Sequence, residues 1–72
     1  MQTYKNLSGT SGVAAYEIGQ DYIKVLFKDE KGYKYTYAST GVQKIEDMKK
    51  LADEGSGLNT YINKYAKSDY ES

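Results

Sequence analysis

The chain contains no cysteine, no histidine, no arginine and no proline among its 72 residues. Each absence removes a class of chemistry. Without cysteine there is neither a disulfide framework nor a thiolate metal site, and nothing points to an oxidising compartment. Without histidine the commonest general base and a usual zinc ligand are missing. All ten basic residues are lysine, so the planar fork that grips phosphate or guanine bidentately is lacking, which disfavours sequence-specific reading of a duplex. Ten acidic residues balance them to a formal net charge of zero, leaving no long-range field to steer a polyanion.

Long apolar runs are lacking as well. Mean hydropathy is −0.78, no stretch approaches the roughly 20 apolar residues of a membrane span, and the opening Met1-Gln-Thr-Tyr-Lys-Asn-Leu-Ser8 has no signal-peptide run. The expectation is a soluble cytoplasmic protein with no membrane partner. Paired acids occur at Asp29-Glu30, Glu46-Asp47 and Asp53-Glu54, but neighbours on a helix point in different directions and make poor acid–base or metal sites. No nucleophile stands with an oriented base. The chain is read as non-catalytic, with no cofactor and no metal.

What is present is tyrosine, nine residues of it, set in patterns that define elements. Residues 1–11 are rich in Ser, Thr, Gly and Asn and read as a flexible lead-in. Val13 to Ile18 and Tyr22 to Lys28 read as strands around a Gly19-Gln-Asp21 turn. In the second, Ile23, Val25 and Phe27 share one face and Tyr22, Lys24, Leu26 and Lys28 the other. Asp29-Glu-Lys-Gly32 suits a turn with the glycine left-handed. In the following Gly32-Tyr-Lys-Tyr-Thr-Tyr-Ala38, alternation places Tyr33, Tyr35 and Tyr37 on one face.

Thr40-Gly-Val-Gln43 has capping-box spacing. From it Val42, Ile45, Met48, Leu51 and Ala52 recur at helical intervals to Gly55, which suits a left-handed C-cap. A second helix is expected from Ser56 as N-cap, with Leu58, Tyr61, Ile62 and Tyr65 as its stripe. Residues 67–72 carry no stripe and are expected to fray. The sum is one α+β domain: a three-stranded antiparallel meander followed by two helices on one face (β-β-β-α-α). The expected core is Val13, Ile23, Val25, Phe27 and part of the tyrosine set against Val42, Ile45, Met48, Leu51, Leu58, Ile62 and Tyr65.

Val13 to Tyr16, the x-V-x-F run of Lys24 to Phe27, the glycine turn at Gly32, Tyr33-Lys-Tyr35, Leu51-Ala52 and Gly57-Leu-Asn59 leading to Ile62 and Tyr65 follow the order and spacing of the KTSC domain, which residues 12–66 resemble. That family is named for its occurrence at the C-terminus of some lysyl-tRNA synthetases, and it also occurs as a small stand-alone bacterial protein. Its function is not established. The resemblance implies a YxY motif at the centre of the fold and RNA as the usual guess for a ligand.

The tyrosines divide by face. Tyr33 and Tyr35 are read as core. Recognition is assigned to the face expected to be uncovered, with Tyr22 and Tyr16 as rings and Lys24, Lys28 and Lys34 as phosphate contacts, joined by Lys64 and Lys67 from the second helix. Single-stranded or structured RNA is the expected partner, and another protein met through exposed tyrosines is the alternative. Two free sheet edges without proline leave a monomer or a weak homodimer as the expected state.

Overall fold

The structure, a computed structural model, describes residues 1–7, 9 and 11–71. The parts of the expected lead-in and tail that fall on Ser8, Thr10 and Ser72 lie outside the described residues. The fold is α+β, with an antiparallel sheet in meander order β1-β2-β3-β4. The strands are β1 (Gln2–Thr3), β2 (Val13–Ile18), β3 (Tyr22–Phe27) and β4 (Gly32–Thr36). Four strands replace the three expected, because the N-terminal segment supplies β1, pairing Gln2 with Tyr16 and Thr3 with Ala15. Two residues are too short to show a period.

The period-two reading of β3 and β4 sets the pairing: Ile23 lies opposite Tyr35, Lys24 opposite Lys34 and Val25 opposite Tyr33. One sheet face is thus apolar and the other carries lysine. In β2 the register shifts between Val13 and Ala15. Such a bulge adds one residue to one strand and turns everything beyond it over. Val13 and Tyr16, an odd number of positions apart, therefore both point into the core. Tyr16 was expected on the uncovered face, and the bulge is the physical reason it is not there. At the β3–β4 turn the left-handed residue is Glu30 (φ 71°), not Gly32, and the Asp29 side chain accepts from the Lys31 amide at 3.1 Å.

After Thr36 the chain turns into a short helix, α1 (Tyr37–Thr40), so Tyr37 leaves the alternation it was expected to continue. The capping box forms four residues earlier than the sequence spacing suggested, and on α1. Thr36 and Ser39 exchange bonds between side chain and backbone, while the Thr40 hydroxyl donates to the Asp69 carbonyl at 2.7 Å. Helix α2 (Val42–Glu54) then starts from Gly41 with no side-chain cap. It buries Ile45, Met48 and Ala52 and ends at Gly55, whose left-handed backbone (φ 77°) returns its N–H to the Leu51 and Ala52 carbonyls. A side chain at Gly55 would lie 2.4 Å from Lys5 Cβ, so the same glycine admits the N-terminal segment, whose Leu7 amide donates to the Gly55 carbonyl at 2.8 Å.

Helix α3 (Leu58–Tyr61) is preceded by Gly57, not capped by Ser56. Its free Leu58 amide instead donates to the Tyr4 hydroxyl at 3.3 Å. The helix runs on into a π-helical turn, Ile62–Ala66, whose wider winding inserts one residue per turn. Ala66 therefore takes the inward place that helical spacing gave Tyr65, and Tyr65 is 54% exposed. Val42, in the first turn of α2, is likewise exposed at 56%. The core consists of Tyr4, Val13, Tyr16, Ile23, Val25, Tyr35, Ile45, Met48, Ala52, Leu58, Ile62 and Ala66, with Phe27 and Leu51 at its margin.

Candidate functional site

The six residues singled out for binding do not form one surface. Tyr22, Lys24 and Lys34 come together on the sheet face opposite the buried side chains of β3 and β4. Lys34 Nζ lies 4.8 Å and Lys24 Nζ 5.9 Å from the centroid of the Tyr22 ring. Lys28 and Lys67 stand instead at a groove beside the Tyr33 and Tyr35 rings. Lys64 is exposed on the π-helical turn and joins neither group. The strand pattern put Lys28 on the face of Lys24, but β3 ends at Phe27 and the chain beyond it turns away.

Glycine shapes the first cluster. A side chain at Gly19 would meet Tyr22 Cε2 at 1.9 Å, so the ring lies flat across the turn because nothing projects there. The Tyr22 hydroxyl donates to Glu17 Oε2 at 2.9 Å, and that bond to the neutral phenol, with burial and the acids Glu17 and Asp21 behind it, raises the Tyr22 pKa. Glu17 also lies 3.8 Å from Lys24, and Glu71 lies 4.0 Å from Lys34. Both pairs are long and solvent-exposed. Such contacts hold an ammonium weakly, about 0–1 kcal/mol, so an incoming phosphate can replace the carboxylates.

The second assembly is the groove, about 810 Å³ in volume, between the edge of β4 and the C-terminal segment. Phe27, Tyr33, Tyr35, Ile62 and Tyr70 give it apolar walls, and Asn59, Asn63, Lys28, Asp29 and Lys67 add polar groups. Residues 67–71, expected to fray, lie back along it. The Tyr70 ring centroid is 4.6 Å from that of Tyr33 and 6.3 Å from that of Tyr35, the Glu71 amide donates to the Lys34 carbonyl at 2.6 Å, and Lys44 Nζ bonds Asp69 Oδ2 at 3.1 Å. Tyr35 is 1% exposed. Burial, assisted by Tyr33, Tyr70 and Asp69, pushes its phenol up to about 12.

A device that the sequence reading missed connects the tyrosines to the acids. Tyr16, Tyr37 and Tyr61 donate to Asp53, Glu46 and Asp47 of α2 at 3.1, 2.6 and 3.1 Å. The adjacent Glu46 and Asp47 serve different partners, as neighbours on a helix must. Each phenol–carboxylate bond favours the neutral phenol. The Tyr16 and Tyr61 pKa values rise through burial first and the bond second, that of Tyr37 through the bond first. In a chain without arginine or histidine, phenols fasten α2 to the sheet through Tyr16 and to α1 and α3 through Tyr37 and Tyr61.

Among the described residues no group of three or more metal-binding side chains converges, and no helix is long and apolar enough to cross a membrane. No family model, no curated protein and no solved structure matches the chain.

Proposed function

We propose that the chain is a non-catalytic, cytoplasmic binding domain of the KTSC type, whose lysine-bearing sheet face takes single-stranded RNA. The observation that carries this reading is the Tyr22 ring with two ammonium groups within 6 Å of its centroid, on the face turned away from the helices. The ring offers a surface for a base, a contact worth roughly 1–3 kcal/mol on single strands. Lys24 and Lys34, directly opposite each other across the strands, supply the phosphate contacts. Like charges placed so are unfavourable to the free protein, and a bound phosphate relieves the repulsion. The composition supports a non-catalytic role, since neither histidine nor cysteine is available. The KTSC assignment rests on the residues from Val13 to Tyr65 quoted above.

The test is an amide-resolved NMR titration with short oligoribonucleotides at low and at moderate salt. Shifts should cluster at Tyr22, Lys24 and Lys34. Two phosphate contacts on a single strand give a log–log salt slope of about −1.4, so a fourfold rise in salt should weaken binding about sevenfold. Tyr22→Ala should weaken it by a further ~10-fold, the low end of a base-stacking contact. A spectrum unmoved by RNA at low salt would remove nucleic acid from consideration. The alternative partner, another protein, is favoured by a different surface.

A further inference from the structure

The groove beside β4 is already occupied in part by the chain's own C-terminal segment, and that segment shows what the site accepts. Asp69 is held by Lys44 at 3.1 Å and, through its carbonyl, by Thr40 at 2.7 Å. Tyr70 leans on Tyr33. Glu71 gives its amide to the Lys34 carbonyl and brings its carboxylate to 4.0 Å from Lys34 Nζ. An acid, an aromatic ring and a second acid thus follow one another, with Asp69 against α1 and α2, Tyr70 at a bend over the groove and Glu71 on the backbone of β4. A main-chain bond to a sheet edge beside a pocket for a side chain is the smallest form of peptide addition to a sheet.

We propose that this edge and groove form a docking surface for a short acidic peptide of a partner protein carrying a central aromatic residue, for which residues 69–71 are a tethered stand-in. Three observations support exchange between the two. Tyr70 remains 39% exposed, so the segment covers the site without sealing it. About 810 Å³ stays open beside it, within the roughly 300–1,000 Å³ typical of ligand sites. Lysines outnumber acids around it, with Lys34 and Lys44 already on the segment's acids and Lys28 and Lys67 beside Asp29 on the groove, a balance that favours an acidic ligand over a basic one.

The tether sets the affinity. A short flexible link presents the segment at millimolar effective concentration, and an incoming peptide binds the uncovered fraction alone, its apparent affinity reduced by that fraction. Loosening the segment must therefore tighten binding in trans.

The experiment titrates a synthetic end-blocked Lys-Ser-Asp-Tyr-Glu peptide into the full chain and into its Tyr70→Ala variant, read by amide NMR. The variant should bind about tenfold tighter than the parent, as a segment closed about nine-tenths of the time requires, with shifts at Tyr33, Lys34 and Tyr35. The same peptide with alanine in place of tyrosine should not bind. Glu71→Pro, which removes the segment's amide donor and leaves every groove residue in place, should give a gain in the same direction even where Tyr70→Ala folds poorly. No binding by either variant, equal binding of the alanine peptide, or displacement of the peptide by an oligoribonucleotide that itself shifts Tyr33 and Tyr35 would overturn the proposal. Lys34 belongs to both surfaces, so the two are told apart by Tyr33 and Tyr35 on this side and by Tyr22 and Lys24 on the nucleic-acid face.

Discussion

The Tyr35 phenol sets a limit on stability in alkali that one substitution can isolate. Its folded pKa is raised from 10.0 to about 12, chiefly by burial. Between those values the unfolded chain has released a proton that the folded chain still holds, so stability falls as pH rises. Tyr35's contribution is fully present below pH 10 and is lost as pH climbs through about 12. A shift of about two units corresponds to roughly 2.7 kcal/mol. A 72-residue domain has roughly 4–11 kcal/mol in all, so the loss is large. Tyr35→Phe keeps the buried ring and removes the ionisation. Urea denaturation followed by circular dichroism, at about pH 9 and about pH 11.5, should show the variant gaining about 2 kcal/mol on the parent between the two. At ~1 kcal/mol/M that is a midpoint difference of about 2 M. Ionisation of the other tyrosines and of the lysines is common to both proteins and cancels. Parallel pH profiles would refute the burial of the Tyr35 hydroxyl.

Two further substitutions probe the ends and the open face. Tyr4→Phe leaves the core ring and removes the acceptor of the buried Leu58 amide, so it should cost about 1–3 kcal/mol in the same denaturation assay. A cost near zero would mean that the N-terminal segment is not seated. Gly19→Ala places a methyl group against the Tyr22 ring and should displace it. Stability should change by about 0.5 kcal/mol or less, as for other surface sites, while oligoribonucleotide affinity drops severalfold by fluorescence anisotropy. Unchanged affinity would count against Tyr22 as a base contact.

Much of this fold is legible in the residues where a period repeats often enough to be recognised. Ile23, Val25 and Phe27, and Ile45, Met48 and Ala52, announce their faces because three or more positions agree. Where one residue breaks the count, the reading inverts. The bulge near Val13 turns Tyr16 inward, and the π-helical turn exchanges Ala66 for Tyr65. Both are decided by packing, which no local pattern encodes. Thr36–Ser39 and Thr40–Gln43 offer caps at the same spacing, and the choice is made by Asp69, which engages the Thr40 hydroxyl from 29 residues away. The candidate site divides in the same manner. Tyr22 and Lys24 share a face by alternation, and Lys34 joins them through strand register. The separation of Lys28 and Lys67 into a groove depends on where the C-terminal segment lies.

The two ends of the chain use the same device with unequal strength. Each comes back to the domain on one tyrosine and a few backbone bonds. Tyr4 is 4% exposed, packs edge-to-face on Tyr16 at 6.5 Å and caps α3. The strand pairing of Gln2 and Thr3 and the bond from Leu7 to Gly55 extend the hold across the whole segment. Tyr70 is 39% exposed and lies at the rim of the groove. Full burial of a large apolar side chain yields roughly 1.5–3 kcal/mol, of which Tyr70 realises a part. Ordering residues 67–71 costs backbone entropy, and the segment offsets it with few contacts: the bonds to Thr40, Lys44 and Lys34 and a partly exposed ring. Small net closure is what an exchangeable segment needs: held firmly it would exclude a partner, and held not at all it would leave Tyr33 and the β4 edge open to unwanted pairing. The N-terminal segment belongs to the domain, and the C-terminal one covers a site.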